Sequence, residues 1–206
     1  MEVEPCAMDR CAVIGVVAGV IALLGAVPYV RDTLAGRTRP NRATWLVYVV
    51  IGCCVVASSW AAGGRWSLLV PVAFILGPVA ILLASIRHGE GGWSRFDRIC
   101  LAGAAIGTAA WLASGDPRVG VWLHTAVDAL GTAPTLLKAW RDPQHENRRA
   151  WTIYAVAALL GLGAIRSWTV GEALFAVWLA LGCSGVAGIL WWRHGRAGAG
   201  PSRRMG

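Results

Sequence analysis

Charged side chains are scarce in this sequence and make up 15% of its residues. A soluble domain normally carries about a quarter charged residues, so the composition argues against a soluble fold. The sequence also lacks a CxxC pair, an HExxH segment, a glycine-rich phosphate loop and a GxSxG segment. Without these signatures of metal, redox, nucleotide and hydrolase sites, we expect no cofactor, no metal and no enzymatic activity.

Long apolar runs take the place of the missing charges, and hydrophobic residues make up 56% of the chain. Roughly 20 helical residues at ~1.5 Å each cross the ~30 Å hydrocarbon core of a bilayer. The first run follows acidic residues instead of a basic cluster, which argues against a cleavable signal peptide. The runs predict an all-α membrane protein with seven spans, at 11–30, 43–62, 67–86, 99–115, 119–137, 150–165 and 173–192.

Lysine and arginine are distributed unevenly between the segments that connect these spans. With seven spans, 15 of the 19 basic residues fall on one side, in 31–42, 87–98, 138–149 and the C-terminal tail. Basic segments stay in the cytoplasm, so we expect the N-terminus outside and the C-terminus inside. The net charge of +8 then sets orientation, and no nucleic-acid partner is expected. Eleven of the twelve tryptophans, all but Trp178, lie in loops or near span ends, as interfacial rings do.

The second half of the chain repeats the first at a constant offset of 106 residues. The aligned pairs are Gly25 with Gly131, Pro28 with Pro134, Asn41-Arg42 with Asn147-Arg148, Trp45 with Trp151, Tyr48 with Tyr154, and Arg87-His88-Gly89 with Arg193-His194-Gly195. A constant offset over about 70 residues indicates duplication of a three-helix unit. Both copies carry the basic segment after their first helix, so both copies have the same orientation.

Three spans reverse the side of the chain, so two equally oriented copies need one extra span between them. The predicted organisation is therefore 3 + 1 + 3, with parallel repeats about an axis along the membrane normal. The segments are a first repeat at 11–87, a linker with the fourth helix at 88–118, a second repeat at 119–193 and a basic cytoplasmic tail at 194–206.

A helix with a proline-containing dipeptide near its end, a short basic loop and an aromatic start to the next helix occur twice in this frame. Over 11–195 the arrangement resembles the SWEET and PQ-loop superfamily, which includes sugar transporters, cystinosin-type amino-acid exporters and KDEL receptors. The sequence looks closest to bacterial membrane proteins with a PYxxDxxxGxTRPxxxxW pattern, matched here by Pro28, Tyr29, Asp32, Gly36, Thr38, Arg39, Pro40 and Trp45. Spans 67–86 and 173–192 lack the asparagine with which SWEETs hold sugar, so the resemblance identifies no substrate.

Asp128 is the most informative ionisable residue, because it lies in the middle of the fifth span. A charge at that depth costs about 3 kcal/mol or more, so carboxylates there often belong to ion or solute pathways. His124 lies one turn earlier on the same helix face. The two residues form a candidate proton or substrate site. The alternative is that a protonated Asp128 only hydrogen-bonds a neighbouring helix.

The repeated prolines lie near the cytoplasmic ends of their helices. Pro28 and Pro134 each remove a backbone hydrogen bond and kink the helix. With the residues that follow them, Tyr29 and Thr135, they are candidate hinge or gate residues, and the alternative is a static kink.

Charged residues follow the prolines at the predicted cytoplasmic mouth. Asp32 aligns with Lys138 at the repeat offset, and Arg39 follows in the same basic segment. The alignment suggests an Asp32–Lys138 pair across the mouth, although a surface ion pair within one segment is the default for such residues.

These features predict a small-solute transporter whose site lies between the two three-helix units, with proton coupling through Asp128 as an option. The alternative is a non-transporting receptor or assembly factor on the same scaffold. The expected partners are the lipid bilayer and an unidentified small solute, and the oligomeric state stays open. Alanine, glycine and arginine are frequent and lysine occurs once, which suits a bacterial chain and hence the cytoplasmic membrane.

Overall fold

The computed structural model describes the backbone of residues 5–37, 39–89 and 91–198, and their side chains except those of 5–9, 134, 145 and 195–198. These residues form seven α-helices, and no strand occurs among them. The helices are α1 (Pro5–Leu34), α2 (Arg42–Ala61), α3 (Leu69–His88), α4 (Arg95–Ser114), α5 (Pro117–Arg141), α6 (Arg148–Gly161) and α7 (Val170–Gly198). Short 3-10 turns precede α3 and follow α5 and α6.

The structure confirms the predicted all-helical class and the number and order of the helices within the described residues. Five helices are long and apolar enough to cross a membrane, namely α1, α2, α3, α4 and α7. Helix α5 is long enough but carries charged residues along its length, and α6 has 14 residues. At ~1.5 Å per residue, α6 covers only about 21 Å. The five apolar helices are consistent with an integral membrane protein, and the other two predicted spans, α5 and α6, differ from them.

The outer surface of the helical bundle is apolar. Leu83, Ile106, Leu112 and Leu181 are each more than 60% exposed, and they belong to α3, α4 and α7. A soluble protein rarely exposes large contiguous apolar patches, whereas a lipid-facing surface requires them. The interior is instead rich in alanine, with buried serine, threonine and glycine. Small residues let membrane helices approach closely, so the bundle is held together by tight packing.

The contacts between helices occur in equivalent pairs. Helix α3 packs against both α1 and α2, and α7 packs against both α5 and α6. Across the bundle, α1 contacts α6 and α2 contacts α5. The repeat offset relates α1, α2 and α3 to α5, α6 and α7, so each contact has a counterpart. Helix α4 packs against α5 and α2.

Helix capping explains one of the repeated motifs. The Oδ1 atom of Asn41 accepts hydrogen bonds from the backbone N–H groups of Ala43 and Thr44, at 2.9 and 3.3 Å. The Oδ1 atom of Asn147 accepts one from the N–H of Ala150, at 3.0 Å. Asparagine is a preferred N-cap residue because its side chain satisfies the free N–H groups of the first turn. The repeated asparagines therefore begin the second helix of each repeat.

Candidate solute cavity

A cavity of about 450 Å³ lies between the two sets of three helices. One wall comes from α1, α2 and α3, and the other comes from α5, α6 and α7. The start of α4 and the connection between α1 and α2 lie at one end of the cavity. Small-molecule sites range from ~300 to 1,000 Å³, so the cavity has the size of a site for a small solute.

Aromatic rings from equivalent positions line both walls. The ring centroids of Trp45 and Tyr48 on α2 lie 5.8 Å apart, and those of Trp151 and Tyr154 on α6 lie 5.9 Å apart. All four residues line the cavity. The repeat therefore places the same Trp–Tyr pair on both sides of one space.

Each of these tyrosines packs against a glycine on the opposite wall. The Tyr154 ring lies against Gly25 of α1, and the Tyr48 ring lies against Gly131 of α5. The Tyr48 hydroxyl also donates a hydrogen bond to the carbonyl of Gly131, at 2.8 Å. The absence of a side chain is required at Gly25, where a Cβ atom would lie 2.7 Å from the Tyr154 ring, whereas a Cβ atom at Gly131 would be in ordinary contact with Tyr48.

Asp128 of α5 lines the cavity, and its carboxylate has an indole as partner. The Oδ2 atom of Asp128 accepts a hydrogen bond from Nε1 of Trp178 on α7, at 2.8 Å. Trp178 also lines the cavity, and both side chains are partly buried. Because a neutral N–H donor fixes one oxygen and the cavity lies beside the group, Asp128 presents a positioned carboxylate to whatever enters.

The end of the cavity beside the basic segments carries fixed charges. The Nζ atom of Lys138 lies 2.8 Å from Oε1 of Glu146, and the other carboxylate oxygen accepts a hydrogen bond from Nε1 of Trp151 at 3.2 Å. Arg39 lines the cavity here and is exposed. Two of the three residues predicted at the mouth, Lys138 and Arg39, thus line the cavity.

Asp32, the third residue predicted at the mouth, does not line the cavity. Its carboxylate accepts hydrogen bonds from Nη2 of Arg37 at 2.6 Å and from Nδ2 of Asn147 at 3.3 Å. The suggested Asp32–Lys138 pair does not form as an ion pair, because Asp32 pairs with Arg37 and Lys138 pairs with Glu146. Arg37 is only five residues after Asp32, and a local partner needs less ordering of the chain than one on another helix.

Asp97 connects α4 to the rim of the cavity. Its Oδ2 atom accepts hydrogen bonds from the backbone N–H and the hydroxyl of Ser94, at 2.9 and 2.6 Å. Its Oδ1 atom accepts one from the hydroxyl of Thr44 on α2, at 2.9 Å. The Ser94–Asp97 arrangement is a capping box at the start of α4. Asp97 is 3% exposed, and both of its carboxylate oxygens have hydrogen-bond partners.

The opposite end of the cavity is closed by backbone packing. A Cβ atom added to Gly171, at the start of α7, would collide with the carbonyl of Ala62, which follows α2. One added to Gly64 would lie 3.1 Å from the carbonyl of Gly171. None of the described residues that connect α2 to α3, α4 to α5 or α6 to α7 lines the cavity. The lining of the cavity therefore reaches the end that carries the basic segments and does not reach the opposite end.

His124 lies apart from the cavity, although the sequence groups it with Asp128. Its side chain is 0% exposed. Its Nδ1 lies 3.3 Å from Oγ of Ser58 on α2, and its Nε2 lies 3.1 Å from Oγ1 of Thr108 on α4. Helix α4 covers this part of α5 and supplies one of the two hydroxyls. His124 therefore joins three helices and takes no place in the candidate site.

The predicted hinge residues fall into two groups. Tyr29 and Thr135, which follow the two prolines, line the cavity, and the Tyr29 ring centroid lies 5.2 Å from that of Trp45. Helix α1 continues through Pro28, which is half-buried and does not line the cavity. Pro134 lies within α5, and its side chain is outside the described residues.

Trp178 and the other rings of the cavity wall are residues that the sequence analysis does not assign to the site. One signal was present, because Trp178 is the tryptophan that lies away from loops and span ends. A tryptophan in mid-span needs a partner for its N–H group, and Asp128 is that partner. Among the described residues, no three His, Cys, Asp or Glu side chains come together as a metal site would require.

Comparison of the chain with known proteins finds no matching family model, no matching curated protein and no matching solved structure.

Proposed function

We propose that all seven helices cross the membrane as two parallel three-helix repeats joined by α4, on a scaffold like that of the SWEET and PQ-loop superfamily. The paired helix contacts and the matched Trp–Tyr pairs support the repeat. The polar residues of α5 support its crossing, because Asp128 turns to the cavity and His124 to α2 and α4, away from lipid. The N-terminus lies outside, and the basic tail lies in the cytoplasm of a bacterial cell.

A reporter fusion tests this topology. A reporter that is active only in the cytoplasm works when fused to the C-terminus and stays silent when fused after residue 64 or residue 116. Activity at 116 together with silence at the C-terminus refutes the seven-span arrangement and the parallel repeat.

The chain on this scaffold is a small-solute transporter. The observation that carries the proposal is the cavity itself: it lies between the two sets of three helices, it has the volume of a small-molecule site, and its lining reaches only one end of the bundle. Repeats that meet at a central site are typical of carriers with alternating access.

The geometry indicates how the two halves exchange access. In this proposal the cavity opens to the cytoplasm, and the contacts of Ala62 and Gly64 with Gly171 close it to the outside. Rocking of one repeat against the other separates these contacts and narrows the end of the cavity that carries the Lys138–Glu146 pair. The helices that carry Pro28 and Pro134 act as hinges, because a helix bends where a backbone hydrogen bond is missing.

Asp128 is the residue on which proton coupling depends. It is an ionisable group inside the candidate site, and its partner Trp178 is neutral. A carboxylate that exchanges a proton as the site changes sides links solute movement to the proton gradient. Asp128→Asn keeps the size of the side chain and an oxygen acceptor for Trp178 but removes ionisation.

Flux measurements test the transport proposal. Comparison of metabolites between deletion and overexpressing cells identifies the solute, and proteoliposomes with the purified chain then measure its uptake with and without a pH gradient. We expect saturable flux that the gradient accelerates, and Asp128→Asn protein that elutes normally but shows no gradient effect. A chain that moves no solute in either assay refutes the transporter and favours the receptor or assembly factor.

A further inference from the structure

The charge balance inside the cavity points to the chemistry of its ligand. Two of the carboxylates that line the cavity already have partners. Glu146 bonds Lys138 and Trp151, and both oxygens of Asp97 accept hydrogen bonds from Ser94 and Thr44. Among the described residues, no basic side chain lies within ion-pair distance of Asp128. The Asp128 carboxylate, which lines the cavity and has no ion-pair partner among the described residues, is therefore the one available to a cation.

Aromatic side chains from α2, α3, α6 and α7 line the cavity together with this carboxylate. Trp178 holds the Asp128 oxygen, and Phe175 lies one turn earlier on α7. Tyr48 reaches the wall from α2, where its hydroxyl bonds the carbonyl of Gly131, one turn after Asp128. The Tyr154 ring packs on that of Phe74, with centroids 4.8 Å apart, and both line the cavity. Aromatic faces attract cations through their negative quadrupoles, most strongly where water is excluded.

We propose that the cavity binds a small organic cation, with its ammonium group beside Asp128 and its alkyl groups against the aromatic rings. The inference deepens the proposed transport function by naming the class of solute, while the binding step itself does not depend on translocation.

Other ligand classes fit the cavity less well. An anion at Asp128 would meet a carboxylate with no basic residue in ion-pair contact, since the lining Arg39 lies at the end beside the basic segments. A sugar requires several free hydrogen-bonding side chains. The α3 wall offers Pro71, Phe74 and Pro78, and the Thr44 and Thr132 hydroxyls and the Trp178 N–H already have partners. Ca²⁺ takes 6–8 oxygen ligands, and no cluster of three acidic, His or Cys side chains occurs in the described part of the chain.

A pair of isosteres tests the proposal without any mutation. Choline and 3,3-dimethylbutan-1-ol have almost the same shape, and only choline carries a positive charge. Binding of each to the purified full-length chain in lipid nanodiscs is measured by calorimetry and by displacement of radiolabelled choline, with tetraethylammonium and benzyltrimethylammonium as further cations. We expect at least one of the cations to bind at least about tenfold more tightly than the neutral alcohol.

Two variants locate the binding site, and each has a matched control outside the cavity. Asp128→Asn weakens the binding of the cation at least about tenfold and leaves the alcohol unchanged, whereas Asp116→Asn, at the exposed start of α5, has no effect. Trp178→Phe keeps a ring but frees the Asp128 oxygen, so it changes the affinity by a smaller factor. Trp191→Phe is its control, because the Trp191 indole bonds Thr152 and lies away from the cavity. Elution and thermal unfolding verify that each variant is folded.

The outcomes separate this inference from the transport proposal. If none of the three cations binds more tightly than the neutral alcohol, or if Asp128→Asn binds them as well as the original chain does, the inference is wrong. Transport of a neutral solute or an anion would then leave the transporter standing. If a cation binds through Asp128 but crosses no membrane, the transport proposal fails and the binding site stands.

Discussion

The two sets of helices that the repeat offset relates, α1–α3 and α5–α7, make similar contacts but differ at one position beside the cavity. Both present a Trp–Tyr pair with almost the same ring spacing, 5.8 Å in one unit and 5.9 Å in the other. Only the second unit carries Asp128, and at the equivalent position the first unit has Ala22. Ala22 is 1% exposed and packs with Ala73 and Ala157, whereas Asp128 faces open space. The residues that the two sets of helices share line both walls of the cavity, and a residue that differs, Asp128, puts a carboxylate on only one of them.

The largest predicted effect comes from making the first unit resemble the second. Ala22→Asp places a carboxylate in a packed position without a partner, so we expect a loss of about 3 kcal/mol or more and a strong fall in the yield of folded protein. Thermal unfolding and size-exclusion profiles in detergent measure both effects. Ala22→Leu adds similar bulk without charge and separates crowding from desolvation. A stable Ala22→Asp protein would show that the two units are interchangeable at this depth.

The glycines that face the two tyrosines give a second comparison, in which equivalent alanine substitutions are expected to change stability in different directions. A Cβ atom at Gly25 would lie 2.7 Å from Cε1 of Tyr154, whereas one at Gly131 would lie 3.7 Å from Cε1 of Tyr48. The Tyr154 ring is held by Phe74 and cannot easily retreat. Gly25→Ala should therefore cost about 1–3 kcal/mol through overpacking. Gly131→Ala should be neutral or add up to about 1 kcal/mol through helix propensity.

Thermal unfolding of both alanine variants in one detergent measures this difference. Equal destabilisation by the two substitutions would contradict the tighter packing of the first unit.

The two capping asparagines differ in their partners among the described residues: Asn41 bonds only N–H groups of its own helix, whereas Asn147 also donates a hydrogen bond to Asp32 on α1. Asn41→Ala removes a cap and should cost about 1 kcal/mol. Asn147→Ala removes a cap and also the hydrogen bond to Asp32, so it should cost about 0.5–1.5 kcal/mol more. Aspartate in place of either asparagine keeps the cap oxygen but removes the amide donor, so Asn147→Asp should destabilise and Asn41→Asp should not. Chemical unfolding midpoints rank the four variants, and a reversed ranking would discount the Asp32 contact.

The smallest effect is predicted at the closed end, where Asp116 pairs with Arg118. Hydrogen bonds from Arg118 lower the pKa of the Asp116 carboxyl below its ordinary value. A lowered pKa contributes stability above the ordinary pKa of about 3.9, and this contribution is lost as the pH falls through the folded-state pKa. The pair is exposed and screened by solvent, so Asp116→Asn should leave the unfolding temperature at pH 7 unchanged within error.

The rim pair is the matched comparison for Asp116. The Glu146 side chain is 10% exposed and holds both Lys138 and Trp151. Glu146→Gln should therefore cost about 1 kcal/mol under the same conditions. If Asp116→Asn destabilises the chain as much as Glu146→Gln does, the burial of a carboxylate does not determine how much its ion pair contributes to stability at either end.

Much of the scaffold follows from local features of the sequence. Apolar runs predict the helices because a helix of about 20 apolar residues is stable in lipid whatever its neighbours are. The Asn41 and Asn147 caps are local as well, since a cap bonds N–H groups within three residues along the chain. The constant repeat offset pairs Trp45 with Trp151 and Tyr48 with Tyr154, and these pairs do line one cavity.

The partners of the polar residues were decided by tertiary structure alone. Helical spacing places His124 and Asp128 one turn apart, but α4 and α2 cover the first and α7 covers the second. Spacing along a helix determines which face a residue occupies, whereas the neighbour that covers this face depends on how distant helices pack. For the same reason Trp178, 50 residues away in sequence, becomes the partner of Asp128. The sequence by itself determined the helices, their caps and the repeat, and only the packing of the bundle decided which polar groups meet.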